Sequence, residues 1–233
     1  MKISIIGISR RRSKFLAKFL SSFVNMTHDN ENTELLMTVS ANEDWNMDVI
    51  ELFRDKHGVK FFFEDKKLGG NGRHIFFNDM AEHATGDWIQ HACDDHLFTM
   101  PGWDNYIRAN IRHHELSPEK INIVIPKLKN TGSVSHLVSR GYFKTLGRIG
   151  GCGNIDSWIN EVITGIPRDR IINIHDPTML DYSAMSDVGD KNFLHPVDDT
   201  SNGDLIPSLG SNEVNEDIRL SSKKLILAIA NGL

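Results

Sequence analysis

Apolar positions along the chain follow two periods, and the switch between them predicts its elements. Residues 2–8 carry Ile3, Ile5, Ile6 and Ile8, a β-branched run ending at the polar cluster Ser9 to Arg12, which predicts a buried strand. Ser13 then suits a helix cap, and Phe15, Leu16, Phe19, Leu20 and Phe23 recur at three and four, lining one helix face for packing on a sheet. Residues 35–39 predict a second strand, 45–55 a helix with the stripe Val49, Ile50 and Phe53, and 59–63 a third strand. This is a βαβαβ unit, expected to be parallel and right-handed. Helical spacing resumes over 75–84, and a strand over 87–93 runs into Asp94 and Asp95.

The second half predicts a helix over 101–111 entered through Pro101, where the missing N–H costs little, and a buried strand over 121–125. Two short helices follow over 139–150 and 156–165, then a strand over 171–174. Between 183 and 212 the chain turns to Asp, Ser, Asn and Gly with few apolar residues, which predicts a mobile loop or lid. Helical spacing returns through Ile218, Leu220, Leu225 and Ile229. The expected class is α/β, a mostly parallel mixed sheet flanked by helices. One domain covers 1–182 in two halves, 1–110 and 111–182, with a helix over 213–233 docked on it.

Composition narrows the function. The 233 residues are 39% hydrophobic, enough for one sizeable core without disulfides or metal. Lys plus Arg number 26 against 31 Asp plus Glu, and the net charge of -5 excludes a polybasic binder of nucleic acid or anionic membrane. Cys93 and Cys152 are too few for a disulfide framework, so a reducing, cytoplasmic setting is expected. No apolar run approaches the roughly 20 residues of a membrane span. The start is not expected to be a signal peptide, since its apolar stretch is short and Arg10 to Arg12 follow at once.

In an open α/β sheet, ligands sit beyond the carboxyl ends of the strands. Gly7 stands alone where a dinucleotide turn needs three glycines, and no G-x-x-x-x-G-K-S/T loop occurs, so both of those chemistries are disfavoured. What stands out is Asp94-Asp95-His96 at a strand end. Adjacent acids repel, and they gain most when a divalent cation neutralises them. Solvated loop acids are the plainer alternative, and His96 either assists or faces solvent.

Residues 72–95, with Gly72, Asn78, Ala84, Gly86, Asp87, Asp94 and Asp95, followed by Pro101-Gly102-Trp103, resemble the core of the family 2 type GT-A glycosyltransferases. In that family a glycine loop leads into a helix with an Asn, an Ala-x-Gly-Asp step leads into the strand bearing an Asp-x-Asp type motif, and a Pro-Gly-aromatic helix start follows. The resemblance covers residues 2–110 well and the rest loosely. It implies a GT-A-like domain whose first half binds a nucleotide-sugar and whose second half forms the acceptor wall. Asp95 would hold Mn²⁺ or Mg²⁺ bridging the donor diphosphate, and Asp94 would lie near the donor ribose or share the metal. Ser9, Arg10, Gly72, Arg73 and Asn78 fall among the donor-binding positions.

Where the family ends its second strand in a base-reading Asp, this chain has Ser40, Asn42 and Asp44, which either take over a bond to the base or form a turn and helix cap. Gly150, Gly151 and Gly153 let backbone approach a ligand closely. Asp156 beyond them either takes the proton of an acceptor hydroxyl or caps the next helix. His175 follows the strand over 171–174 as a further metal ligand or a surface residue, with His195 a weaker choice. His91, His113 and His114 are expected to be solvated.

The activity expected is metal-dependent transfer of a sugar from a nucleotide-sugar donor to a hydroxyl, first of a glycan or glycoconjugate. A nucleotidyltransferase on a similar sheet and a degenerate sugar-nucleotide-binding module are the alternatives. A hydroxylated DNA base as acceptor is disfavoured by the charge, though Arg10 to Arg12 with Lys127, Lys129, Arg140, Lys144 and Arg148 offer a local basic face.

Overall fold

The computed structural model describes residues 1–9, 13–40, 47–54, 57–64, 72–129, 135–181 and 210–233. Eight strands form one sheet in the order β3-β2-β1-β4-β7-β6-β8-β5. The first half is β1 (Ile3–Ser9), α1 (Ser13–Met26), β2 (Thr33–Ser40), α2 (Met47–Phe53), β3 (Val59–Glu64), α3 (Arg73–His83) and β4 (Trp88–Cys93). β1 pairs with β2 and β4 in parallel, and β2 with β3, as the βαβαβ reading expects. The second half is β5 (His96–Phe98), α4 (Trp103–His113), β6 (Ile123–Lys129), β7 (Leu137–Ser139), α5 (Arg140–Leu146), α6 (Ile155–Val162), β8 (Ile171–Asp181) and α7 (Asn212–Ala230).

Strand alternation divides the core between the two faces of the sheet. Ile5, Leu35, Trp88 and Leu137 point to one face and pack against α1 and α4 through Phe19, Phe23, Trp103 and Ile107. Their neighbours Ile6, Leu36, Ile89 and Val138 point to the other, against α3, α6 and α7 through Phe77, Met80, Trp158 and Leu225. Both faces are covered, which is why these strands are apolar throughout rather than alternating. Gly86 is required where the chain enters β4, since a Cβ there would stand 2.7 Å from the Ser4 backbone nitrogen.

Three features differ from the periodicity. β5 and β7 were not expected, being three residues each and too short to show a period. Both pair antiparallel, β7 with β4 and β6, and β5 with β8. β8 runs to Asp181 rather than ending near Ile174. Its first part pairs with β6, and after an irregularity between Pro126 and Leu128 its last residues also pair with β5. α7 starts earlier than its apolar stripe, because Ser211 caps it by accepting from the Val214 N–H at 3.3 Å. It docks through Asp217, which accepts from Trp158 Nε1 at 3.1 Å and pairs with Arg148. No described helix is long and apolar enough to cross a membrane.

Candidate active site and cation site

The chain connects β1 to β2 on one side, and β4 lies on the other side of β1, so a crevice opens beyond the carboxyl ends of β1 and β4. Ser9 ends β1, and Asp94 follows β4 one step past the Ile8↔Cys93 pair. Both are buried, and Ser9 Oγ donates to Asp94 Oδ2 at 2.7 Å, tying the two strand ends together.

Residues 94–95 form the turn between β4 and β5. The Asp95 carboxylate, the Cys93 sulfur and a His96 ring nitrogen lie within 4.8 Å of one another. The Cys93 N–H donates to His96 Nδ1 at 3.3 Å, and the backbone of His96 pairs with that of Asp181. His96 is buried, so the solvent-facing alternative for it fails. One carboxylate oxygen, one imidazole nitrogen and one sulfur fit a divalent cation of the first transition row; the carboxylate suits Mg²⁺ and Mn²⁺ as well. Cys93 carried no signal in the sequence, because a single cysteine at a strand end reads as a small core residue.

Asp156 lies in the first turn of α6, half-buried, where negative charge is favoured at a helix start. The N-cap position belongs to Asn154, so the capping alternative for Asp156 fails. Next to it are two histidines that the sequence placed in solvent or passed over. His91 of β4 and His136, just before β7, are both buried, with near-parallel rings 6.1 Å apart, and Phe77 meets His91 edge-on. His136 Nε2 bonds Asn160 Oδ1 at 2.9 Å. The Nδ1 atoms of both rings meet no hydrogen-bond partner among the described residues. Burial drives the His136 pKa down to about 4 against the opposing bond from Asn160 and the charge of Asp156. Burial, then the neighbouring His136 and His96, push His91 well below the ordinary range. Both rings are therefore neutral at physiological pH and leave the charge of Asp156 uncompensated from their side.

Several expected site residues have other work. The Asn78 amide accepts from the N–H groups of Ile149 and Gly150 at 2.8 and 3.2 Å and donates to the Gly150 carbonyl at 2.9 Å. Its side chain ties α3 to the glycine turn instead of reaching a donor. At Gly151 a Cβ would meet Asp217 and Trp158, so that glycine makes room for α7 and the indole rather than for a ligand. Gly72 is buried at the start of α3, with Arg73 exposed beside it. His175 is exposed in mid-β8, in the stretch where the pairing with β6 is irregular, and it does not join the Cys93, Asp95 and His96 ligand atoms that lie within 4.8 Å of one another. Arg10, Asn42, Asp44 and His195 lie outside the described residues, as does the segment expected to form a lid up to residue 209, and of Ser40 only the backbone position at the end of β2 is described.

Three residues of the proposed basic face are engaged by their own chain, and Arg10 to Arg12 lie outside the described residues. Arg140 donates to the carbonyls of Ala84 and Gly86, Lys144 pairs with Glu119 at 3.0 Å, and Arg148 with Asp217. A cleft of about 220 Å³ between β2, β3 and α3 is lined by Thr38, Glu64, Asp79 and Glu82, and its acids make it a poor seat for a diphosphate.

No protein-family model matches the chain. Among solved structures, S. aureus TarS superposes with a TM-score of 0.64 at 14% identity, over 77% of this chain and 36% of that one. Its 1–349 form in complex with UDP-GlcNAc gives 0.62 at 13%, over 77% and 58%. The mannosyltransferase PcManGT from Pyrobaculum calidifontis, in complex with GDP-Man and Mn²⁺, gives 0.62 at 15%, over 78% and 57%. The chain thus spans less than two thirds of the length of each. The shared feature is the fold, a GT-A-like arrangement of a curled, mostly parallel sheet flanked by helices.

Proposed function

We propose that the chain is a cation-dependent glycosyltransferase that moves a sugar from a nucleotide-sugar donor to a hydroxyl of a glycan or glycoconjugate. The observation that carries this reading is the Ser9–Asp94 bond beside Asp95 at the crevice between β1 and β4, where an open sheet receives its ligand. The UDP-GlcNAc and GDP-Man complexes of the TarS form and PcManGT support the donor class.

In this reading Asp94, bonded to Ser9, accepts from the donor ribose or shares the cation, and Asp95 holds Mn²⁺ or Mg²⁺. Bound there, the cation offsets the charge that builds on the departing nucleoside diphosphate. Arg73 and the start of α3 offer positive charge to the phosphates. Asp156 takes the proton of the acceptor hydroxyl as its oxygen attacks the anomeric carbon, and attack opposite the leaving group inverts that carbon. The neutral His91–His136 pair leaves the Asp156 carboxylate free of a fixed ion pair from that side, so it remains available as a base.

The test is nucleoside diphosphate release from a panel of nucleotide sugars with Mn²⁺ and mixed glycan acceptors. Asp156→Asn is expected to lower turnover by about 10²–10⁴-fold, the usual contribution of a general base, with donor affinity retained. Asp95→Ala is expected to abolish both release and cation-dependent donor binding. Release indifferent to both substitutions would overturn the reading, and pyrophosphate release from nucleoside triphosphates would assign a nucleotidyltransferase instead.

A further inference from the structure

We propose that the cation site beyond β4 is a mixed sulfur, nitrogen and oxygen site, in which Cys93 and His96 join Asp95 and select a borderline transition-metal ion such as Zn²⁺ or Co²⁺ over Mg²⁺. The inference rests on the reading above for its place in the reaction, and on the geometry of the trio for its chemistry.

All three groups come from four consecutive residues, and the fold holds that stretch at both ends. Cys93 is anchored by the ladder of β4 with β1, through its pairing with Ile8, and His96 by the ladder of β5 with β8. Cys93 ends β4, and the turn at 94–95 sets Asp95 and His96 back beside it. The three ligand atoms lie within 4.8 Å of one another. Zinc bonds of about 2.0–2.3 Å hold tetrahedral ligand atoms roughly 3.3–3.8 Å apart, so closing the trio needs a movement of about an ångström. His96 Nδ1 accepts a long bond from the Cys93 N–H at 3.3 Å, which sets that ring nitrogen beside Cys93.

The donor chemistry decides the metal. Mg²⁺ is a hard ion that asks for oxygen in near-ideal octahedral geometry, and a thiolate beside it contributes little. A thiolate and an imidazole flanking one carboxylate match Zn²⁺ and its neighbours, whose affinity for such donors rises along the first transition row. Three protein ligands leave a coordination position open, the pattern of zinc sites that work on a substrate rather than brace a fold.

The test uses the full chain stripped of metal and titrated with Co²⁺, read by thiolate-to-cobalt charge-transfer absorption. A band saturating at one equivalent is expected, lost in Cys93→Ser and kept in Cys152→Ala, the only other cysteine. Competition with Zn²⁺ is expected to show affinity lowered by about tenfold or more in both Cys93→Ser and His96→Gln, with Mg²⁺ affinity unchanged. Circular dichroism of each variant separates lost ligation from lost folding. Absence of the band, or Zn²⁺ affinity unchanged in both folded variants, would overturn the inference. The two readings fail separately: Asp95-dependent turnover with no cobalt–thiolate band leaves the transferase standing and sinks the mixed site. A Cys93-dependent band without turnover of any nucleotide sugar does the reverse.

Discussion

The two ends of the parallel strands both bury carboxylates, and they treat them in opposite ways. At the amino ends, Glu34 accepts from Ser4 Oγ at 2.7 Å, from the Thr85 N–H and hydroxyl at 2.6 and 2.9 Å, and pairs with Lys2 and Lys60 at 3.2 and 3.4 Å. Burial alone would raise its pKa, but those bonds outweigh it and hold the group at about 2. Asp104 beside it accepts from the His28 and Asp29 N–H groups and from Arg108, whose other nitrogens bind the Met1 and Asn32 carbonyls and Thr33. These acids close the bottom of the sheet. At the carboxyl ends, Asp94 accepts from Ser9, Asp95 stands among sulfur and nitrogen donors, and the Nδ1 atoms of the buried His91 and His136 meet no hydrogen-bond partner among the described residues. The first set of acids braces the closed end of the sheet through bonds from its own chain; the second stands at the end where an open sheet receives its ligand.

The sharpest way to break this contrast is to delete one acid from each end. Asp104→Ala leaves the buried Arg108 guanidinium, among the described residues, with only the longer pair to Asp29 at 3.7 Å, and a loss of about 3 kcal/mol in urea denaturation is expected. Asp95→Ala, by contrast, is expected to cost less than Asp104→Ala, since Asp95 is half-buried in the turn after β4 and compensates no buried guanidinium among the described residues. If the two variants unfold alike, the division between ends is wrong.

Acid titration distinguishes the ends by pH window. A buried histidine with a depressed pKa gives stability that is present above its unfolded value and lost as the unfolded chain protonates first. His136 should therefore cost about 3 kcal/mol as pH falls from 6.5 toward 4. Glu34, also depressed, gives stability present above its unfolded value near 4.5 and lost between there and about pH 2, again about 3 kcal/mol. Unfolding free energy measured against pH should show a shallower upper slope in His136→Gln and a shallower lower slope in Glu34→Gln, with His91 and Asp104 carrying the remainder. A slope unchanged in its own variant would show that the residue does not contribute to it.

The smallest effect concerns the bridge between the halves. Asn78→Ala strands two backbone N–H groups and a carbonyl of the glycine turn, and is expected to cost about 1–3 kcal/mol. Because that turn leads into α6, acceptor KM should rise more than donor KM. An unchanged acceptor KM in the folded variant would show that the turn does not position Asp156.

What the sequence determined by itself is the half of the molecule whose contacts are local in pattern. The β-branched runs at 2–8, 35–39 and 59–63, alternating with helical stripes, require a parallel unit, and Asp94-Asp95 at the end of its fourth strand marks the crevice, because burial and period are written in neighbouring residues. Tertiary structure decided everything that depends on which distant strands meet. Three-residue strands such as β5 and β7 carry no period, yet their antiparallel pairing closes the sheet, brings His136 onto His91, and returns His96 to Cys93 and Asp95. The same long-range register left His175 outside the cluster of Cys93, Asp95 and His96, and gave Asn78 to the glycine turn. Periodicity reports which face of an element is buried; only the register between elements says which side chains share a site.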